Sequence, residues 1–159
     1  MIPLPIKLLH PDAQIPKYQS TGASGMDLCA FDISDVWGSV GFSADEDSLI
    51  ILHPLARALF STGISLSIPP GYEGQIRPRS GWALKNGITV LNSPGTIDSD
   101  YKGEIKVLLI NLGHGSVEIK RGDRIAQLVI APVVKAELVL VNALETSVRG
   151  DSGFGSSGK

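Results

Sequence analysis

The sequence predicts an all-β domain: a distorted jelly-roll or β-clip-like barrel with one short helix and a flexible C-terminal arm. Short apolar runs alternate with turns rich in Gly, Pro, Asn and Asp along most of the chain, as in folds built from many short strands. The 159 residues, 43% hydrophobic and 19% charged, are enough for one domain with a sizeable core.

Eight segments have the length and composition of strands, and strong turns such as Pro69-Pro70-Gly71 separate them. The predicted strands are Ile6–Leu9, Leu49–Leu52, Gly63–Ile68, Glu73–Arg77, Ile105–Asn111, Val117–Lys120, Arg124–Val134 and Glu137–Val141. One short helix is predicted between Ser80, as the capping residue, and Gly87.

Two segments differ from the strand pattern. Residues 32–48 hold five acidic side chains among glycines and serines, but they lack the ordered spacing of a calcium loop, so we predict a solvated surface loop. Residues 149–159 are rich in Gly and Ser and should be flexible without a ligand. The predicted organisation is therefore a β-domain over residues 1–148 and an arm over residues 149–159.

The composition argues against several classes of function. A formal net charge of −2 does not suit a protein that coats nucleic acid, although a few local cations can still bind phosphate. The single cysteine, Cys29, cannot form an intrachain disulfide and is interpreted as a small core residue. No signal peptide or membrane-length apolar stretch is recognised, so a reducing, cytoplasmic location is expected.

The stretch from Leu91 to Ile105 carries the densest polar chemistry. Strand-like runs flank it, which predicts a hairpin with Asn92, Asp98, Asp100 and Tyr101 near its tip. Such residues are also what ordinary turns contain. An acid, an amide and an aromatic ring at one tip could, however, orient a water molecule and a planar base.

Phosphate binding is one interpretation of the residues around the predicted helix. Arg79 could add a charge-assisted fork to the free N–H groups at the helix start, or it could be a surface charge beside a simple cap. Asp27 could be a turn former or could lie beside a hydrated magnesium ion. Arg124 and Gln127 fall on opposite faces of a regular strand, so only a bulge or twist would bring them together.

The glycine-rich arm has most of the spacing of a P-loop, but no buried strand is expected before it, no helix can follow it, and the required Ser or Thr after Lys159 is missing. Its single aromatic residue, Phe154, and its cation, Arg149, instead suit an arm that folds over a nucleotide.

Taken together, five segments resemble, in order, the motifs of the trimeric dUTPase family. They cover the chain nearly from end to end, and their order and spacing make the resemblance specific. The segments are Ser24–Leu28, Pro78–Lys85, Asn92–Glu104, Gly122–Leu128 and Arg149–Gly158.

This resemblance implies a homotrimer of jelly-roll-like subunits that hydrolyses dUTP to dUMP and pyrophosphate, with Mg²⁺ on the triphosphate. The reaction lowers dUTP and supplies dUMP for thymidylate synthesis, and each site would draw on more than one subunit. These expectations agree with the general need of phosphoryl transfer for positioning and charge neutralisation.

The resemblance also assigns roles to individual residues. Asp98 would orient and deprotonate the attacking water, and Tyr101 would pack under the deoxyribose and exclude a 2′-hydroxyl. The groups expected to read the uracil edge are Asn92 and the hairpin backbone near Gly95, Thr96, Ile97, Asp98 and Lys106. The groups expected to hold phosphates are Arg79, Ser80, Gly81 and Gln127, with Arg124 in support.

The remaining implied roles concern the metal and the arm. Asp27 would lie near the hydrated Mg²⁺ and act through water. Phe154 would stack on uracil, while Arg149, Gly155 and Ser156-Ser157-Gly158 would close over the phosphates.

Two features depart from the family pattern: the acidic segment of residues 32–48 is long, and Trp82 stands where a smaller apolar residue is expected. Two other functions fit these residues less well. A dCTP deaminase of related fold would need a different acid–base group from Asp98, and a non-catalytic binding module would not need the complete set of phosphate-binding and base-reading residues.

Overall fold

A computed structural model describes residues 2–43 and 48–152. Within these ranges the chain forms thirteen strands and one helix, which confirms the all-β prediction. The elements are β1 (Ile6–Leu8), β2 (Lys17–Tyr18), β3 (Met26–Cys29), β4 (Asp32–Trp37), β5 (Val40–Gly41), β6 (Ser48–Leu52), β7 (Arg57–Leu66), β8 (Tyr72–Arg77), α1 (Ser80–Asn86), β9 (Ile88–Val90), β10 (Gly95–Ile97), β11 (Glu104–Asn111), β12 (Val117–Lys120) and β13 (Arg124–Pro132).

The strands pair antiparallel in three sheets. The first has the order β1-β7-β11-β9, with β4 also paired to β7; the second has the order β10-β8-β13-β3-β2; the third has the order β12-β6-β5. Neighbours in the sheets are often distant along the chain, so the sheets form through long-range pairing. No helix among the described residues has the length and apolar character needed to cross a membrane.

One apolar core joins the three sheets. Along β11 the inward side chains alternate, so that Ile105, Val107 and Leu109 are fully buried. Among the described residues Phe60 is the largest fully buried side chain, and the same cluster includes Leu28 of the second sheet and Ile50 of the third. The core thus holds the sheets at fixed positions and gives the loops between them a rigid support.

The prediction of a surface loop over residues 32–48 was wrong for most of its length. Asp32–Trp37 pairs with β7, and Val40–Gly41 pairs with β6. Ile33, Val36 and Val40 pack against the core, which explains why the segment is held despite its acidic side chains. Residues 44–47 lie outside the described residues.

The predicted strand over Glu137–Val141 was also wrong. After β13 ends at Pro132, the described chain to residue 152 contains no strand or helix. Leu138 and Leu140 are 95% and 98% exposed, because this segment meets no neighbouring strand and no core within the single chain. A strand needs a pairing partner as well as a favourable sequence.

The predicted helix is confirmed, but its cap is not Ser80. Arg79 is the N-cap residue, with an extended backbone and no side-chain capping hydrogen bond, while Ser80 is the first helical residue. Gly87 ends the helix in the left-handed region (φ 72°), and its N–H bonds to Ala83 O at 3.1 Å. Trp82 is accommodated by packing partly against the core.

Candidate active site

The buried carboxylate of Asp27 on β3 is the centre of one polar cluster. Its side chain is only 3% exposed. Arg124 Nη1 donates to Oδ2 at 3.2 Å, Gln127 Nε2 donates to Oδ1 at 3.2 Å, and Arg79 Nε lies 3.6 Å from Oδ1. We call these four side chains the Asp27 cluster. One group from the residue before α1 and two from β13 thus converge on one acid.

A bulge in β13 makes this convergence possible. The register of β13 against β3 shifts between Arg124 and Ala126, so that Arg124 opposes Cys29 while Ala126 opposes Leu28. An extra residue in one strand changes which face the following side chains point to. Arg124 and Gln127 therefore reach the same carboxylate. A bulge or twist was the condition predicted from the sequence for this meeting, and the bulge fulfils it.

The Asp27 cluster carries two guanidinium charges against one carboxylate. Pairing offsets the cost of burying Asp27, which would be high for an isolated charge. Arg79 and Arg124 keep 24% and 49% of their side-chain surface exposed, so the excess positive charge faces solvent. Beside them, Gly81 has no atom within 4 Å of where a Cβ would stand. The surface can accept an anionic group there.

The thiol of Cys29 borders this cluster without a chemical role. Burial and the nearby Asp27 carboxylate raise its pKa, so the thiol is protonated at neutral pH, and Sγ lies 3.2 Å from Gln14 Oε1 as a donor. Cys29 is only partly buried, which corrects the expectation of a core residue but agrees with its lack of nucleophilic character.

A second polar cluster lies beyond the end of β10. The predicted hairpin divides between two sheets: β9 pairs with β11 at its base, while β10 turns away to pair with β8. A turn follows in which Tyr101 N donates to Asp98 O at 3.2 Å. Because β10 leaves the first sheet and becomes the edge strand of the second, Asp98 lies at the edge of the second sheet.

Two cavities meet at Asp98. The smaller, of 170 Å³, is the size of a fragment site rather than of a whole nucleotide. Its lining residues are Thr96, Ile97, Asp98, Tyr101, Glu104 and Lys106. The larger, of 660 Å³, is lined partly by Glu73, Asp98, Asp100 and Lys135. Asn92 lies against Gly95 at the start of β10, with its Nδ2 3.2 Å from the position that a Cβ on Gly95 would take.

The two clusters lie at opposite ends of the second sheet. Asp27, Gln127 and Arg77 occupy one row of the register, whereas Gly74 and Ile97 occupy a row three residues away. Asp98 follows Ile97, one residue farther along, and lies three strands from Asp27, so the separation is about 13 Å along the strands and about 14 Å across them. One chain therefore brings together the residues within each cluster, but not the two clusters.

The arm residues touch neither cluster in the described part of the chain. Arg149 Nε donates to Ser152 O at 2.7 Å within a local turn, and Val148 is fully exposed. Phe154, Gly155, Ser156 and the following residues lie outside the described ranges. The described residues also contain no group of three or more His, Cys, Asp or Glu that could hold a metal ion.

Gly103 and Glu104 both lie against Tyr101, and neither has a role among the predictions from the sequence. Tyr101 Oη donates to the carbonyl oxygen of Glu104 at 2.9 Å, and its ring lies over Gly103. The sequence signal that could have indicated this contact is a glycine two residues after an aromatic residue in a polar turn.

Comparison with known proteins gives the family. The dUTPase family model matches residues 11–158, and the chain belongs to the dUTPase family. Deoxyuridine 5'-triphosphate nucleotidohydrolases of Wolinella succinogenes and Hydrogenobaculum sp. are 54% and 52% identical to it. The first match covers 95% of this chain and 91% of the relative, and the second covers 96% of each.

Solved structures agree in fold. A mutant dUTPase of Staphylococcus bacteriophage 80alpha with dUpNHpp has a TM-score of 0.81 at 28% identity, with 100% of both chains covered. A mutant dUTPase from phage phi11 of S. aureus, which coordinates a structural Mg(II) ion, has a TM-score of 0.74 at 24% identity, over 91% of this chain and 100% of its own. Because its identity is only 24%, the second structure supports the fold and nothing further. Both support a jelly-roll-like β architecture.

Proposed function

We infer that this chain is a dUTP diphosphatase, which hydrolyses dUTP to dUMP and pyrophosphate. Membership of the dUTPase family and about 50% identity with named dUTP nucleotidohydrolases support this activity. The observation that carries it in the structure is the pair of clusters. One is cationic and suited to phosphate; the other combines a carboxylate and an aromatic ring beside a small cavity.

We propose that Asp98 takes the proton from a water molecule that attacks the α-phosphorus. The new P–O bond forms to the water oxygen, the bond to the β-phosphate oxygen breaks, and pyrophosphate leaves. A positioned carboxylate acting as general base typically contributes about 10²–10⁴ in rate. Asp98 borders both cavities, which supports a position between the base and the phosphates.

Base recognition is assigned to the hairpin and phosphate recognition to the Asp27 cluster and its neighbours. Tyr101 packs under the deoxyribose, while the uracil edge meets Asn92 and the backbone near Gly95, Thr96, Ile97 and Lys106. The phosphates meet Arg79, Ser80, Gly81 and Gln127, and Arg124 supports them from across Asp27.

We propose a homotrimer in which one subunit supplies the hairpin and its neighbour supplies the phosphate site. The separation of the two clusters supports a shared site, because a single chain leaves each cluster incomplete. The apolar segment after β13 supports assembly: Val134, Leu138, Leu140 and Leu144 are each at least 85% exposed in one chain. Apolar surface of this extent marks a contact with another chain.

The proposed metal is Mg²⁺ held mainly by the triphosphate and by water. Asp27 is the acid of the phosphate site that could lie near the ion, but its oxygens already accept from Arg124 and Gln127, and Arg79 Nε lies 3.6 Å away as an ion pair. This donor set fits an outer role through water and not a protein cage, in keeping with the preference of Mg²⁺ for retained waters and phosphate oxygens. When bound, the ion would neutralise phosphate charge.

The arm, residues 149–159, is proposed to close over the bound nucleotide as a unit distinct from the β-domain of residues 1–148. Phe154 would stack on the base, and Arg149, Gly155 and Ser156 would approach the phosphates. The described residues after Pro132 contain no strand or helix, which is compatible with an arm that packs against the nucleotide and not against its own β-domain. The cytoplasmic location expected from the sequence stays a prediction, testable by cell fractionation.

A nucleotide panel tests the activity. Purified protein is incubated with dUTP, UTP, dCTP and dTTP, with and without a chelator, and pyrophosphate and ammonia are measured. We expect pyrophosphate from dUTP, loss of turnover on chelation, and little from the other nucleotides. Ammonia from dCTP would assign the chain to deamination instead, and no turnover of any nucleotide would favour a binding module.

A further inference from the structure

The Tyr101 ring is held in place by the two residues that follow Lys102. Its Oη donates to Glu104 O at 2.9 Å. Its ring lies so close to Gly103 that a Cβ at that position would stand 2.5 Å from Oη, 2.6 Å from Cζ and 3.0 Å from Cε2. Real Cβ atoms do not approach neighbours this closely, so any side chain at position 103 must displace the ring.

The requirement for glycine at position 103 comes from the ring and not from the backbone. Gly103 does not belong to the glycines with positive φ, which are Gly38, Gly63, Gly71, Gly87, Gly122 and Gly150. An L-residue could therefore adopt its backbone conformation without strain. What position 103 cannot accommodate is a side chain together with the Tyr101 ring in its present place.

Glu104 connects this arrangement to the core. Its Oε1 accepts from Gly63 N at 2.9 Å, at the point where the register of β11 against β7 shifts. The next residue, Ile105, is fully buried, and its carbonyl oxygen accepts from Thr62 Oγ1. The carbonyl oxygen that receives the Tyr101 hydroxyl therefore belongs to a backbone segment anchored on both sides.

We propose that Gly103 and Glu104 are positioning residues that fix the Tyr101 ring and thereby determine the discrimination of dUTP from UTP. The inference rests on the proposed function, in which Tyr101 packs under the deoxyribose. A ring fixed in position excludes a 2′-hydroxyl by contact, whereas a ring free to move can yield to it. Gly103 acts by leaving space, and Glu104 acts by accepting the phenol hydrogen and anchoring the turn.

The principal test compares kcat/KM for dUTP and UTP in Gly103→Ala. We expect the dUTP-to-UTP ratio to fall by about 10- to 100-fold, since a displacement near 1 Å can change rates by this order. The KM for dUTP should rise more than kcat falls, because Asp98 is unchanged. Gly115→Ala is the matched control, since a Cβ there meets nothing within 4 Å, and it should keep the wild-type ratio.

A double-mutant cycle separates action through the ring from general damage to the fold. In a Tyr101→Ala background the ring is gone, so adding Gly103→Ala should change the ratio little further. Equal losses in both backgrounds would overturn the proposal. Tyr101→Phe removes only the bond to Glu104 O and should lower the ratio several-fold, which decides the matter if Gly103→Ala does not fold.

Glu104 is tested by rescue. Glu104→Gln keeps an oxygen that can accept from Gly63 N and should retain most of the discrimination, whereas Glu104→Ala should lose it. Equal ratios in these two variants would remove Glu104 from the proposal. Wild-type protein that does not hydrolyse dUTP would contradict the proposed function itself; active wild-type with an unchanged ratio in both Gly103→Ala and Tyr101→Phe would contradict only this inference.

Discussion

The carboxylates of this molecule differ in burial and in the charge around them, and these differences decide what each can contact. Asp98 is at the boundary of two cavities, free to meet a ligand, while Asp27 is buried among cations. Asp100 lines only the larger cavity. The same chemical group is thus open to a ligand at one position and holds other side chains at another.

Asp98→Asn is predicted to lower turnover of dUTP by roughly 10² or more while nucleotide binding stays measurable. The amide keeps the size of the side chain but cannot take a proton from water. Single-turnover kinetics and equilibrium binding of a non-hydrolysable analogue provide the measurements. Asp100→Asn is the matched control, and a larger loss there than at Asp98 would transfer the catalytic role to Asp100.

Asp27→Asn is predicted to lower stability and to raise KM for dUTP. The variant leaves Arg79 and Arg124 facing a neutral amide, and the loss should be about 1–3 kcal/mol, moderated because both guanidiniums are partly exposed. Urea unfolding and steady-state kinetics measure the two effects. Asp35→Asn on exposed β4 should change neither. An Asp27 variant with wild-type KM would show that the cluster does not organise the phosphate site.

Secondary-structure elements present these side chains through their irregularities more than through their regular parts. The bulge in β13 turns Arg124 and Gln127 to one side, and the break between β10 and β11 exposes Asp98 and Tyr101. Helix α1 is short and ends where Gly87 meets the backbone of Gly113. The C-terminal end of α1 is thereby held against the loop that follows β11, where Leu112 N donates to Gly87 O at 2.9 Å.

Gly87→Ala is predicted to lower the free energy of unfolding by about 1–3 kcal/mol. Its positive φ of 72° is unfavourable for alanine, and the new Cβ would meet the backbone of Gly113. Chemical denaturation measures the loss. Gly22→Ala, where a Cβ meets nothing within 4 Å, should stay within about 0.5 kcal/mol of wild type. Equal stability of the two variants would refute the close approach of Gly87 to the backbone of Gly113.

At the scale of the whole molecule, the second sheet keeps the Asp27 cluster and the cavities at Asp98 apart. The described chain also ends in a long apolar segment without a partner of its own. Both features are explained if copies of the chain complete one another around a closed ring, as symmetric oligomers do. Light scattering at micromolar concentration should then give about three subunit masses.

Mixed trimers of two inactive variants are predicted to regain activity. Asp98→Asn keeps an intact phosphate cluster, and Arg79→Ala keeps an intact hairpin. After random exchange of subunits, about one quarter of the sites should combine both intact halves. Each variant alone, refolded in the same way, is the control. Turnover that stays at the level of the separate variants would mean that each site lies within one subunit.

Removal of the residues after Val148 is predicted to leave a folded trimer with very low dUTPase activity. The arm has only one large apolar residue, Phe154, and ordering its glycines costs on the order of 1–2 kcal/mol per residue. It should therefore order only against a bound nucleotide. Thermal unfolding and turnover are measured together. Early unfolding would make the arm structural, and full activity would exclude a closing role.

The sequence alone predicted much of the fold and most of the candidate chemistry. Alternation of apolar residues and the positions of Gly and Pro indicated the β class, the single helix and the main strands, since these signals act locally. The motif segments also identified Asp98, Tyr101, Arg79 and Asp27 before any geometry. The order and the residue types of these segments were sufficient to select the candidates.

Only the tertiary structure decided which segments pair. Asp32–Trp37 and Val40–Gly41 form strands because β7 and β6 pair with them, while Glu137–Val141 stays unpaired for lack of a neighbour. The bulge that unites Arg124 with Gln127, and the contact of Tyr101 with Gly103, likewise depend on partners far along the chain or on exact backbone paths. Periodicity reports which face a residue prefers, but pairing and register are set by non-local contacts.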